Sequence, residues 1–384
     1  MLYDFDTYVE RRNTNSAKWD AYDPDILPMW IADSDFRSPV QVREALAAAV
    51  ERGIFGYPHG TKAYLEACAG WMATRFGWQV SPDQIEWTPS LGTAIGCCIQ
   101  TFTSPGDNVC MLWPIYPPFI GLCRMNGRTP VGSTLKWKDG KYEIDFDELE
   151  KALANPLTTL FLLCSPHNPT GRVFTRSELQ KMGELCLKHN VTVFSDEIHG
   201  DIVYQERQIP FPTISDEVAQ ISIVGVNASK TFNLADLRTA AVISDNAVLL
   251  HRFGQHQKQL KLGPSSLGMT GAGTAWRDCA GYADQLVQYL RKNIETAVSR
   301  INRQCKGIRA YFPEATYLLW LDCSEMGLSQ EELVKFFLEK AKVGLNNGAD
   351  FGPGGMGHMR MNVACPGSLL NEGLERIEKA LAKG

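Results

Sequence analysis

Four short stretches carry residue types that could do chemistry. The first is Asn227-Ala228-Ser229-Lys230-Thr231-Phe232-Asn233-Leu234. A lysine amine drawn partly out of water loses basicity and can form an imine with an aldehyde. Arg238 follows eight residues later, a guanidinium fork suited to a phosphate dianion. The second stretch is Ser195-Asp196-Glu197-Ile198-His199. A carboxylate there could pair with a cationic ligand atom, or Asp196 and His199 could begin a metal site that shows no obvious third ligand. The third, Ser165-Pro166-His167-Asn168-Pro169-Thr170-Gly171, is a turn able to aim the Asn168 amide into a crevice. The fourth, Leu91-Gly92-Thr93-Ala94, opens a helix, where backbone N–H groups and a hydroxyl make an anion site. Each has a plainer reading by itself: a solvated lysine and a structural arginine, a loop of surface charges, a simple turn, a helix cap.

The elements that must position these stretches are legible too. Apolar runs rich in β-branched or aromatic residues occupy 109–113, 159–164, 191–195, 221–226 and 240–244. Amphipathic helical patterns at 40–52, 94–102 and 176–189 lie among them. Continuous apolar strands alternating with helices indicate an α/β fold around a buried, mostly parallel sheet. In such a sheet ligands bind beyond the carboxyl ends of the strands. All four stretches fall at such an end or at the start of the next helix, so one crevice could collect a phosphate site, a carboxylate, an amide and an amine. That inventory matches the phosphate, pyridine nitrogen, phenolic oxygen and aldehyde of pyridoxal 5′-phosphate (PLP). Further on, helices at 284–304, 330–342 and 369–383 alternate with strands at 317–322 and 359–363, a smaller α+β layer. The expected division is a large domain at 45–283 and a small one from 1–44 with 284–384, hinged by a helix.

Composition excludes other classes. The 384 residues carry a net charge of −5, with no basic footprint for a nucleic-acid partner. No stretch approaches the ~20 apolar residues of a membrane helix. The N-terminus is mixed and charged, without the apolar core of a signal peptide, which points to the cytoplasm. Eleven cysteines without regular spacing read as reduced, buried thiols rather than a disulfide framework.

Longer segments add a resemblance that spans nearly the whole chain. They include 29–36 (MWIADSDF), 55–57 (FGY), 113–119 (WPIYPPF), 229–234 (SKTFNL), 315–322 (ATYLLWLD), 348–352 (GADFG) and 359–362 (MRMN), besides the turn at Asn168 and the Asp196 stretch. Together these resemble the class I/II aminotransferases of PLP fold type I. The likeness is greatest to the cystathionine β-lyase or cysteine-S-conjugate β-lyase branch, of MalY/PatB type. The resemblance implies an aspartate-aminotransferase-like fold and a homodimer with shared sites. It implies that Lys230 carries the cofactor as a Schiff base and moves the substrate's Cα proton. Asp196 would keep the pyridine nitrogen protonated, and Asn168 would donate to the phenolic oxygen, with Ile198 and His199 alongside. Tyr116 would stack on the ring. Gly92, Thr93 and Arg238 would hold the phosphate, joined by Tyr57 lent from the second subunit, and Ser229 would also contact the cofactor. Arg360 would clamp the substrate's carboxylate, with Ala32 and Tyr116 nearby.

The chain departs from the branch in places. Asp236 stands where glycine is usual and could repel the phosphate or compete for Arg238. Asn227 stands where many relatives place a phosphate-binding hydroxyl. Leu91-Gly92-Thr93 is closer to aminotransferases, Ser34 replaces a usual methionine and Tyr282 a usual tryptophan. The expected reaction is carbon–sulfur β-elimination from cystathionine or a related cysteine conjugate, giving pyruvate, ammonia and a thiol. The alternatives are transamination between an L-amino acid and a 2-oxo acid, which shares the first proton abstraction, and a PLP-binding regulator acting through a partner.

Overall fold

The computed structural model describes residues 1–383 except Asp139 and Glu206. Its centre is a seven-stranded sheet built from β1 (Ile85–Thr88), β2 (Asn108–Trp113), β3 (Thr129–Thr134), β4 (Thr158–Cys164), β5 (Thr192–Asp196), β6 (Ser222–Val226) and β7 (Ala240–Ile243). The spatial order is β1-β7-β6-β5-β4-β2-β3. β7 runs antiparallel to both its neighbours, β1 and β6, and the other pairings are parallel. Side chains alternate between two apolar layers. On β2, Val109, Met111 and Trp113 enter one layer while Cys110 and Leu112 enter the other. Burial on both faces explains why these strands read as unbroken apolar runs.

Most expected elements are present with shifted ends. β5 includes Asp196 as its last residue, so that carboxylate is fixed by the ladder opposite Gly225 rather than set free in a loop. The helix expected over 94–102 starts at Leu91. The Ser90 hydroxyl caps it, accepting from the Thr93 N–H at 3.1 Å, so Gly92 and Thr93 form its first turn. Gly225 lets this helix sit close on β6: a Cβ there would lie 2.8 Å from Phe194 and 2.9 Å from Leu91. The helix expected over 330–342 is regular only over Gln330–Lys335 and continues as a π-turn to Lys340.

The later part of the chain forms β8 (Leu318–Asp322), β9 (Asn346–Asn347) and β10 (His358–Asn362) in the order β8-β10-β9. The N-terminal stretch joins this region, since Leu27–Pro28 pairs in parallel with Val343–Gly344. Both expected domain boundaries fall inside helices, Val40–Glu51 and Ala280–Gln304. No helix among the described residues is long and apolar enough to cross a membrane. All eleven cysteines are free and buried.

Candidate active site

The carboxyl edge of the sheet gathers the predicted residues. β4 leads into Asn168, β5 ends in Asp196, and β6 leads into the short helix Ser229–Phe232 that carries Lys230. Asn233 closes that helix in the left-handed region (φ 58°), a conformation asparagine tolerates. Arg238 precedes the antiparallel β7. The ladder has Ala240 opposite Thr88 and Ala241 opposite Val226, so Arg238 emerges between the 89–93 and 227–230 segments. Arg360 comes from β10, directly across from Trp320 on β8.

The Lys230 amine donates to the Ala32 carbonyl at 2.6 Å. Burial pulls it down to about 8, helped by Arg360 and opposed by Asp33 and Asp196. An appreciable neutral fraction therefore exists near neutral pH. Asp196 is buried and pushed up to about 6 by desolvation, opposed by the Ile198 N–H and by Lys230. That N–H, donating at 3.1 Å, is its hydrogen bond within the chain. No lysine or arginine among the described residues forms an ion pair with Asp196. A buried carboxylate held this way is completed by a cationic ligand atom.

Arg360 is almost wholly buried. One Nη donates to Asn168 Oδ1 at 2.9 Å, and the other to Asn346 Oδ1 at 2.5 Å and to the Trp30 carbonyl at 3.2 Å. The guanidinium lies 5.0 Å from the Phe351 ring centre, and desolvation lowers it to about 10. Its Nε has no acceptor. Asn168 thus spends its oxygen on Arg360, leaving its NH2 available as a donor. His199 is buried with Nδ1 unpartnered, edge-on to Tyr317 at 6.0 Å. Burial, then Lys230 and Arg360, lower it to about 3, so it is a neutral imidazole. Asp196 and His199 gain no third metal-binding side chain among the described residues. Tyr116 immediately precedes the helix Pro117–Met125. Burial raises its hydroxyl, on which Arg360 and Asp196 also act, which places the ring among the site's charges.

The residues predicted at the phosphate end differ in exposure, Ser229 being buried and Thr93 half-buried. Gly92 and Arg238 are exposed, and the Arg238 side chain makes no hydrogen bond or ion pair among the described residues. Asp236 does not pair with it. The Thr93 hydroxyl lies 3.0 Å from Ser90 Oγ. Asn227 caps the Ser229 N–H with its oxygen at 2.8 Å. Tyr57 stands fully exposed beside exposed Ile54 and Phe55, and is not brought to Lys230 of its own chain. Ser34 and Tyr282 are buried, and the Tyr282 hydroxyl donates to the Arg37 carbonyl.

One feature escaped the sequence. Residues 30–36 cross the site as a strap whose carbonyls, Asp35 excepted, are each taken by a side chain. Arg360 holds Trp30, Asn362 holds Ile31 and Asp33, Lys230 holds Ala32, and Asn233 holds Ser34 and Phe36. Lys18 adds the Asp33 carbonyl and a buried ion pair with Asp35 at 2.7 Å. The segment 29–36 was visible as a motif, but only the fold shows its carbonyls as the target.

These groups fit PLP: among the described residues, a lysine without a carboxylate ion-pair partner, a buried carboxylate lacking a cation, an asparagine donor, and an unpaired arginine between the 89–93 and 227–230 segments.

Comparison with known proteins agrees. Residues 31–377 match the model of the family described as aminotransferase class I and II. The chain is 41% identical over 385 residues to cystathionine beta-lyase PatB of Bacillus subtilis, covering 98% of this chain and all of that one. Among solved structures, a PLP-bound putative aminotransferase of Clostridium difficile superposes with a TM-score of 0.96 at 34% identity, covering 99% and 100% of the two chains. Cystalysin of Treponema denticola, which contains pyridoxal 5′-phosphate, also gives 0.96, at 32% identity and full coverage of both chains.

Proposed function

The chain belongs to the aminotransferase class I and II family, and from that premise we propose that it is a PLP-dependent carbon–sulfur β-lyase. Its substrates are cystathionine or related cysteine S-conjugates, and its products are pyruvate, ammonia and a thiol. The observation that carries this reading is the end-to-end 41% identity to a protein named cystathionine beta-lyase.

When bound, the cofactor supplies an electron sink for the bond changes at the substrate's Cα and Cβ. The chain's own residues do the rest. Lys230 holds the cofactor and, with its amine largely stripped of water, takes the Cα proton. Asp196 holds a proton at the ring nitrogen by presenting a fixed negative charge. The Asn168 NH2 would donate to the phenolic oxygen and Tyr116 would stack on the ring, with Ile198 and neutral His199 alongside. Gly92, Thr93, Ser229 and Arg238 hold the phosphate, and Tyr57 reaches it from the second copy of a homodimer. Arg360, oriented by Asn168 and Asn346, binds the substrate carboxylate beside Ala32, a bidentate task for which a guanidinium is shaped. We retain a large domain at 45–283 and a small one from both chain ends, and a cytoplasmic location.

Transamination is the second reading, favoured by the likeness to the putative aminotransferase of Clostridium difficile. Incubating purified protein with L-cystathionine and following pyruvate and thiol tests the first; a parallel run with 2-oxoglutarate tests the second. Pyruvate and thiol without 2-oxoglutarate are expected. Turnover only when 2-oxoglutarate is present would replace the lyase by the aminotransferase.

A further inference from the structure

A cavity of about 430 Å³ lies apart from the catalytic residues: none of those assigned to cofactor or substrate lines it. That volume falls within the roughly 300–1,000 Å³ of small-molecule sites. Its walls come from distant parts of the chain. The hairpin of strands Lys136–Lys138 and Lys141–Glu143 supplies Trp137 and Tyr142, the segment 311–314 supplies Tyr311 and Glu314, and β8 supplies Trp320 and Asp322. Ligand sites favour such junctions.

The lining holds a donor with nothing to bind. Trp320 is 7% exposed, and its indole Nε1 has no acceptor among the described residues, a costly state for a buried N–H. The ring is fixed by stacking on His358, centroids 4.9 Å apart and planes at 9°, and by Phe351 edge-on at 5.2 Å. The Tyr142 hydroxyl approaches the indole but is engaged by His358 Nε2 at 3.4 Å. His358 Nδ1 gives its hydrogen to the Met356 carbonyl at 2.9 Å, so in the neutral ring Nε2 is the acceptor for Tyr142.

Around this donor stand aromatic rings and unspent negative charge. The Trp137 ring centre lies 4.3 Å from that of Tyr311 and 5.0 Å from that of Tyr142. Glu314 uses only Oε2, which accepts from Arg172 at 3.2 Å and from the Val173 N–H at 2.8 Å. Asp322 uses only Oδ1, which accepts from the Ser324 N–H and hydroxyl. Each carboxylate therefore keeps one oxygen without a donor among the described residues. The neighbouring cations are matched or lie in the open. Arg172 closes on Glu178 at 2.8 Å. Arg309, whose backbone pairs with Asp322, closes on Glu325 at 3.0 Å. Lys141 is exposed on the hairpin.

We propose that this cavity is a second ligand site, for a small organic cation that carries a hydrogen-bond acceptor. Aromatic faces attract a positive charge through the ring quadrupole, and here two carboxylates with spare oxygens stand among them. The ammonium group sits against Trp137, Tyr142 and Tyr311 and is drawn by Asp322 and Glu314. The acceptor takes the Trp320 N–H, which satisfies the one buried donor that the chain leaves open there. The site owes nothing to the proposed lyase activity, because it shares no assigned residue with it.

Calorimetric titration of choline into the holoenzyme tests it. Choline has a charged nitrogen and a hydroxyl acceptor. It has no carboxylate for Arg360 and no N–H with which to form an imine, so the catalytic site does not account for its binding. Saturable binding at one molecule per chain is expected. The tert-butyl analogue, with carbon in place of the charged nitrogen, should bind about tenfold more weakly. Trp137→Ala and Asp322→Asn should each weaken choline by about fivefold to tenfold. Trp320→Phe, which keeps a ring and loses the N–H, should weaken it by about threefold to tenfold. The analogue needs no variant, so a substitution that fails to fold does not decide the matter. Three results would each overturn the proposal: no saturable binding of choline, equal binding of the uncharged analogue, or an affinity unmoved by both Trp137→Ala and Asp322→Asn.

Discussion

The two ends of the site are built on opposite plans. Where Asn168, Asp196, Lys230 and Arg360 meet, the charged groups are largely stripped of water and oriented by protein atoms. At the other end Gly92 and Arg238 lie in solvent, and Arg238 waits without a partner among the described residues. A group that must act on a developing charge gains from being fixed beforehand in a dry setting. A phosphate dianion brings its own charge and is held by several weak contacts, so the groups that meet it can stay hydrated.

Mutations can break or sharpen this contrast. Lys230→Ala should have the largest effect, since losing a positioned base alone costs about 10²- to 10⁴-fold, and the absorbance of the lysine-bound cofactor should vanish. Full turnover in that variant would remove Lys230 from the chemistry. Asp196→Asn should lower kcat by about 10²- to 10³-fold, the usual cost of one preorganised electrostatic group.

The same substitution should also reveal what the buried charge costs. The folded carboxyl titrates near 6 rather than at its ordinary 3.8, so it holds its proton more tightly than the unfolded chain does. Stability is therefore lost as pH rises from 3.8 to about 6 and stays lost above that. In the cofactor-free protein, Asp196→Asn should gain up to about 3 kcal/mol over wild type at pH 7, and progressively less toward pH 4. Urea denaturation at both pH values measures this, and a gain independent of pH would contradict it.

Arg360→Ala should raise KM by about 10- to 100-fold, the loss of one or more hydrogen bonds to a charged group; an unchanged KM would take Arg360 out of substrate binding. Arg238→Ala should weaken cofactor binding about tenfold or less, as an exposed charge contributes little, with cofactor affinity as the readout. A loss equal to that of Arg360→Ala would erase the contrast. Asp236→Gly should do least, changing cofactor affinity within about fivefold, because Asp236 forms no ion pair with Arg238.

Much of this was legible in the sequence. Apolar runs located β2, β4, β5, β6 and β7 to within a residue or two, because strands buried on both faces cannot hide among polar residues. The Lys230, Asp196, Asn168 and Arg360 positions followed from strand ends and from the family likeness. The reversed direction of β7 left no trace, since a run as short as Ala240–Ile243 reads the same in either orientation. Asn346 was missed as a support of Arg360: it lies outside the quoted motifs, and only the pairing of β9 with β10 brings the two opposite one another.

The strap over residues 30–36 has a consequence for how the site fills. Two of the cations that fasten it, Lys230 and Arg360, are the ones that an aldehyde and an α-carboxylate would claim. A ligand that drew either one away would leave the stitches from Asn362, Asn233 and Lys18 in place.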